Sequence, residues 1–188
     1  MIAANAPRAV LFDLDGTLVD TAPDLCNAVN HVLAGLGRAA VPLARLREVV
    51  SKGGRAMLAV ALLDALDARG VRWGIVTNKP EALAAGVVAG MGWVARCAVL
   101  VGGDTLPLRK PDPAPLHLAC ERLGIDPARC LYVGDDERDV QAARAAGMPS
   151  AAALWGYRLP GEDPLQWGAD HAAAVPADLH AIAGLAPA

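Results

Sequence analysis

Carboxylates gather at two points in this sequence. Asp13 and Asp15 lie in DLDGT, directly after the short apolar run Ala9 to Phe12. Asp135, Asp136 and Asp139 lie in GDDERD, after the apolar run Cys130 to Val133. A parallel strand that ends in a carboxylate presents it at the sheet edge where ligands bind. Asp15 follows on a turn that Gly16 permits. Two carboxylates this close repel each other, so their ionisation splits or is held by a metal. Two more stretches bring complementary groups. Thr77-Asn78 can offer a hydroxyl and backbone N–H groups to an anion, and RKPDP brings Lys110. Lysine is scarce, occurring only at 52, 79 and 110, so a lysine beside a motif is informative. Taken singly, DLDGT could be a solvated turn, Thr77 a cap and Lys110 a solvated loop residue. Acids alone would make a metal site; acids joined by Lys110 and Thr77 suggest a metal ion and a phosphate side by side.

The elements that must position these groups alternate along the chain. Ala9 to Phe12, Trp73 to Thr77, Cys97 to Val101, Cys130 to Val133 and Ala151 to Leu154 read as buried strands, short, apolar and bounded by Asp, Gly or Pro. Leu62 to Arg69, Pro80 to Gly90, Pro113 to Leu123 and Asp139 to Ala146 read as helices, the last two stopped by Gly124 and Gly147. This alternation predicts an α/β fold with a parallel sheet covered on both faces. Asp20 to Ala61 breaks the pattern. Pro23 to Leu36 and Leu43 to Val50 look helical, and the loop Ser51 to Arg55 leads to a third helical start. A helical insertion is therefore expected after the first strand.

The 188 residues suffice for one full-size domain, alone or with a small appendage, and 54% hydrophobic content supplies a core. Aromatics are 4%, with Phe12 the single Phe, so that core is aliphatic. A net charge of -3 argues against a nucleic-acid partner. The longest apolar run, Met57 to Leu63, is too short for a bilayer span, and the first residues do not read as a signal peptide. Cys26, Cys97, Cys120 and Cys130 form no CxxC pair, and His31, His117, His171 and His180 show no zinc spacing. Free thiols in a reducing, cytoplasmic setting are expected.

DLDGT, Thr77 after a strand, Lys110 before Pro, and GDDERD occur in an order and spacing that resembles the haloacid dehalogenase superfamily, from Ala9 to about Asp178. The resemblance implies a Rossmann-like core with a central parallel sheet, formed by residues 1–19 and 62–188, and a small helical cap at 20–61. It implies roles residue by residue. Asp13 matches the nucleophile that becomes an aspartyl phosphate. Asp15 matches the general acid and base. Asp13, the Asp15 backbone carbonyl and Asp135 would hold Mg²⁺. Thr77, the Asn78 backbone and Gly16 would bind the phosphoryl group. Lys110 would neutralise charge on Asp13 and on the transferring group. Asp139 would support the metal's waters or Lys110. Asp136 stands where a small hydroxyl residue is often found, so either a site role or plain exposure fits it.

Phosphate monoester hydrolysis is the favoured reaction. Carbon–halogen cleavage goes with loss of the second acid, and Asp15 is present. A phosphonate-cleaving relative would need a Schiff-base lysine in the insertion, where Lys52 is the single candidate. Phosphoryl transfer of the phosphoglucomutase type shares all the motifs and stays open. A binding module without catalysis is opposed by the presence of Asp13, Asp15, Lys110 and Asp135 together. VVSKGGRAM, IVTNKP, RKPDPAPL and LYVGDDERDVQAARAAGM resemble phosphoglycolate phosphatases. GGRAMLAV, WGIVTNKP, CAVLV and WGYRLPGEDPLQWGAD resemble bacterial N-acetylmuramic acid 6-phosphate phosphatases more closely still. Both substrates carry a carboxylate, for which Arg55 in the cap loop is a candidate partner, an ordinary surface arginine being the alternative. The implied partner is thus a small phosphorylated metabolite, in carbohydrate metabolism, with neither nucleic acid nor membrane, and the chain a monomer or homodimer. The cap is short for this resemblance: RAMLAVAL runs directly into LDALDARGV, where related sequences carry roughly 30–40 more residues, two or three helices with loops. Two readings follow, a reduced cap or a segment absent between about Ala59 and Leu63, and the second is preferred.

Overall fold

The computed structural model describes residues 6–35, 37–42, 56–157 and 161–185. Six strands make one sheet in the order β3-β2-β1-β4-β5-β6, every pair parallel. They are β1 (Ala9–Phe12), β2 (Arg72–Val76), β3 (Leu100–Val101), β4 (Cys130–Gly134), β5 (Ser150–Ala153) and β6 (His171–Ala173). The helices are α1 (Ala22–Gly35), α2 (Ala56–Ala68), α3 (Glu81–Gly90), α4 (Ala114–Leu123), α5 (Glu137–Ala145) and α6 (Asp178–Ile182). This is the Rossmann-like α/β architecture expected from the sequence.

The central strands are apolar because both their faces are covered. Alternate residues of β1 enter different cores, as the two-residue period of a strand requires. Val10 and Phe12 join Trp73, Ile75, Leu62 and Leu66 on one face, and Ala9 and Leu11 join Leu116, Ala119 and Tyr132 on the other. The chain order reverses between β1 and β4, which pair in register from Ala9 with Cys130 to Phe12 with Val133. That reversal leaves a crevice at the carboxyl ends of β1 and β4, where open α/β sheets take their ligands.

Several boundaries differ from the sequence expectation. The third strand is confined to Leu100–Val101, because Arg96 and Cys97 turn back onto Trp93 through their amides. β6 was not anticipated; it is a three-residue edge strand that begins with exposed His171. α5 starts at Glu137 rather than Asp139, because Asp136 caps it. α2 is continuous across the boundary expected at residues 61 and 62, and it packs on β2 and α6. The helix expected over Leu43 to Val50, with Lys52 and Arg55, lies outside the described residues. All the cysteines are free: Cys26, Cys120 and Cys130 are buried and Cys97 is half-buried. Among the described residues, no helix is long and apolar enough to cross a membrane.

Candidate active site

The carboxyl ends of β1 and β4 deliver the acids. Asp13 is the first residue after β1, and its backbone N–H donates to Val133 O of β4 at 2.8 Å, so the two strand ends are locked together. The chain then folds back on itself: the Leu18 and Val19 amides both donate to Leu14 O, at 3.1 and 3.0 Å. Gly16 sits in that turn at φ +86°, and a side chain there would run into the Asp135 carboxylate and the Tyr157 ring. Only glycine satisfies both demands. Thr17, buried, donates through its hydroxyl to Asp135 Oδ1 at 2.7 Å. The Tyr157 backbone N–H donates to Asp135 Oδ2.

Lys110 is the centre of the charge network. Its side chain is 3% exposed, and Nζ donates to Asp13 Oδ1 at 2.9 Å, Asp139 Oδ1 at 2.7 Å and the Tyr132 hydroxyl at 2.8 Å. The Tyr132 hydroxyl in turn donates to Val76 O at 2.6 Å. An ammonium has three donors, and all are used. Asp139 is held from its other side as well, because the Asp136 N–H donates to Oδ2 at 3.1 Å. Gly134 makes room for it: a side chain there would overlap the Asp139 carboxylate.

Burial sets the electrostatics. Burial alone would lower the Lys110 pKa, but Asp13 and Asp139 outweigh it and hold the ammonium well above its ordinary value. Asp139 is raised to about 6, by burial first and by Asp13, against the pull of Lys110. At neutral pH the Lys110–Asp139 pair is therefore ionised on both sides. Asp135 is raised well above the carboxylate range by burial and by its neighbours Asp13 and Asp139, which the bonds from Thr17 and Tyr157 only partly offset. Oxygens of Asp13, Asp135 and Asp139 lie within 4.8 Å of one another. Three acids against one ammonium leave an excess of negative charge in a largely buried setting. A hard divalent cation with oxygen ligands fits that excess.

The structure brings together Asp13, Lys110, Asp135 and Asp139. Asp15 is linked instead to the loop after β2 and to Thr21: Oδ1 accepts from Lys79 Nζ at 2.7 Å and from the Thr21 hydroxyl at 2.6 Å. Thr77 is buried after β2, and its Oγ1 accepts from the Lys79 N–H at 3.3 Å. The Asn78 side chain donates to Lys110 O at 2.9 Å, tying the Thr77 loop to the Lys110 loop. Asp136 is half-buried, caps α5 and pairs with Arg138 at 2.6 Å, so its carboxylate is occupied outside the cluster. Arg55 lies outside the described residues. Sequence reasoning assigned no role to Thr17, Thr21, Lys79, Tyr132 or Tyr157. Only Lys79 had a signal of its own, as one of three lysines and directly after Asn78.

Comparison with known proteins gives this geometry a family. Two family models, both described as haloacid dehalogenase-like hydrolase, match residues 10–61 and 56–147. A phosphoglycolate phosphatase of Xanthomonas campestris pv. campestris (strain 8004) is 52% identical over 200 residues, covering 87% of this chain and 90% of its own length. An N-acetylmuramic acid 6-phosphate phosphatase of Pseudomonas aeruginosa is 40% identical, covering 87% and 88%. A crystal structure of a predicted phosphoglycolate phosphatase from Haemophilus somnus 129pt superposes with TM-score 0.81 at 24% identity, covering 94% of this chain and 97% of that one. Since 87% of 188 residues is about 164, about 36 of the 200 positions aligned with the Xanthomonas protein carry no residue of this chain. The chain belongs to the haloacid dehalogenase-like hydrolases and is an enzyme similar to the phosphatases among them.

Proposed function

We propose that this chain is a Mg²⁺-dependent phosphate monoester hydrolase that works through an aspartyl phosphate on Asp13. Its substrate is a small phosphorylated metabolite bearing a carboxylate, phosphoglycolate or N-acetylmuramic acid 6-phosphate. One observation carries the reading: a buried ammonium, Lys110, bonded at once to Asp13 and Asp139 at the carboxyl edge of the sheet. Such a cation sits against the attacking carboxylate and offsets charge that gathers on a phosphoryl group. The core, residues 1–19 and 62–188, supplies this chemistry, and residues 20–61 form the cap that covers the leaving group.

The steps follow from the atoms present. The Thr77 hydroxyl and the Asn78 N–H bind the phosphoryl oxygens; the Gly16 N–H donates to Val19 O at 2.9 Å instead, so the part expected of Gly16 in phosphate binding is not met by its amide. A carboxylate oxygen of Asp13 attacks phosphorus, and the bond from phosphorus to the ester oxygen breaks. The departing oxygen takes a proton from Asp15. Lys79 and Thr21 both occupy Asp15 Oδ1, and Oδ2 has no hydrogen-bond partner among the described residues. Oδ2 is therefore the oxygen suited to carry the proton. The ionised Asp15 next accepts a proton from water, whose oxygen attacks the phosphorus of the aspartyl phosphate. Inorganic phosphate leaves and Asp13 is restored. Asp13, Asp135 and the Asp15 carbonyl would hold the Mg²⁺, with Asp139 behind them. The ion, when bound, neutralises phosphate charge and eases the approach of one anion to another.

The test is turnover of a chromogenic phosphate ester, then of phosphoglycolate and N-acetylmuramic acid 6-phosphate, with and without Mg²⁺. Activity should require Mg²⁺ and vanish in Asp13→Asn. Undiminished hydrolysis by that variant would overturn the nucleophile assignment.

A further inference from the structure

Lys79 belongs to none of the motif positions, yet it lies against Asp15. Its ammonium is 2.7 Å from Asp15 Oδ1, with the two side chains 16% and 23% exposed, sheltered but open to a ligand. The Lys79 backbone is fixed at both ends: its N–H donates to Thr77 Oγ1 at 3.3 Å, and its carbonyl accepts from the Gly103 N–H at 2.8 Å. The stem therefore rises from the loop that holds Thr77 and crosses to the DLDGT turn. Asp15 Oδ1 already accepts from Thr21 at 2.6 Å, so positioning that carboxylate does not require a second donor. The ammonium has three N–H donors, and among the described residues only Asp15 takes one. A desolvated cation with unused donors is a site for an anion.

The chemistry fixes where that anion must be. Asp15 has to reach the ester oxygen of the leaving group. A carboxylate attached to the ester carbon then arrives beside Asp15, within reach of the Lys79 ammonium held 2.7 Å from Asp15 Oδ1. We propose that Lys79 is a specificity-determining residue that binds a carboxylate attached directly to the ester carbon of the substrate, the arrangement in phosphoglycolate. This assignment rests on the phosphatase reading above. It also divides the two candidate substrates. In N-acetylmuramic acid 6-phosphate the sugar ring separates the carboxylate from the phosphate ester, and Lys79 does not reach it while Asp15 serves the ester oxygen. Lys79 thus favours the small 2-phosphooxy carboxylate.

The experiment compares kcat/KM for phosphoglycolate with that for propyl phosphate, which has a similar backbone without the charge, in the Mg²⁺-loaded wild type, Lys79→Met and Lys79→Arg. Loss of the Asp15 contact affects both esters, so the ratio isolates the carboxylate. The wild type should prefer phosphoglycolate. In Lys79→Met that preference should fall by about tenfold or more, chiefly through KM, as expected for one charged hydrogen bond, and Lys79→Arg should restore most of it. Calorimetric titration of phosphoglycolate into Asp13→Asn, with and without Lys79→Met, should show the same loss of affinity without turnover. Lys79→Gln replaces the Met variant if that one does not fold. An unchanged ratio in a variant that hydrolyses both esters overturns the role of Lys79 alone. A wild type that hydrolyses N-acetylmuramic acid 6-phosphate but not phosphoglycolate overturns this assignment alone; one that hydrolyses none of these esters overturns the phosphatase reading with it.

Discussion

Lys110 decides the character of the site because, among the described residues, it is the one cation bonded within the buried cluster of acids. Removing it strands Asp13 and Asp139 as unpaired charges, and breaking a buried pair in this way costs about 3–5 kcal/mol. Lys110→Met should therefore lose measurable activity and melt well below the wild type, read by calorimetry alongside the assay. Tyr132→Phe is a milder probe: it removes one donor to Val76 O and one acceptor for Lys110, at about 1–3 kcal/mol. The acids themselves give a pH signature. Burial raises Asp139 to about 6 from an ordinary carboxylate value near 4, and raises Asp135 also. Between those values the native state binds more protons than the unfolded chain. Stability of the metal-free protein from this cluster therefore falls as pH rises from about 4 through about 6. A Mg²⁺ held by this cluster would compete with those protons. Its gain in melting temperature over EDTA should be larger at pH 7.5 than at pH 5.5, and an equal gain at both would argue against the cluster as the metal site. Asp13 and Asp135 stood out in the sequence because each follows an apolar run, and Lys110 because lysine is scarce and this one lies in RKPDP. Tyr132 was not, because within an apolar strand its hydroxyl looks incidental, and its partner Lys110 is 22 residues away in the chain.

At the scale of elements, the site depends on where α5 begins. Asp136 caps the helix: its Oδ1 accepts from the Arg138 N–H at 2.9 Å, and its own N–H donates to Asp139. One capping box thus starts α5 and presents Asp139 to Lys110. Asp136→Ala should cost about 0.5–2 kcal/mol of stability, and Asp136→Ser should recover most of it. Arg138→Ala, which removes only a solvent-facing ion pair, should cost less than about 1 kcal/mol. Urea denaturation of the three variants separates capping from charge pairing. The sequence expectation started this helix two residues late because GDDERD was read for its acids, and the capping pattern within it was passed over. β1, β2 and β4 were legible to within a residue, since strands buried on both faces leave unbroken apolar runs. β3 was legible as the run Cys97 to Val101 though not in its extent, and β6 was not legible: an edge strand pairs on one side only, so two or three residues suffice.

For the molecule as a whole, the sheet order explains why residues far apart in the chain meet. Placing β4 beside β1 puts Asp135 next to Asp13, and the crossovers bring Thr77 and Lys110 to the same edge. The alternation of strands and helices makes this convergence on one sheet edge legible in the sequence. The extent of the cap expected over residues 20–61 was not legible in the same way, because it depends on what is missing from the sequence pattern. The two family models meet at residues 56–61, within the span where the sequence looks short for a cap. Intact-mass spectrometry distinguishes a reduced cap, at 19.3 kDa, from a cap several kilodaltons larger. At 19.3 kDa fewer contacts reach the leaving group, and binding energy from those contacts is what lowers KM. Phosphoglycolate should then show a KM at or above about 1 mM, the upper end of the usual enzyme range. Lys79 and Arg55 would be left to carry recognition of the carboxylate. A KM in the low micromolar range at that mass would mean that residues 20–61 close the site by themselves.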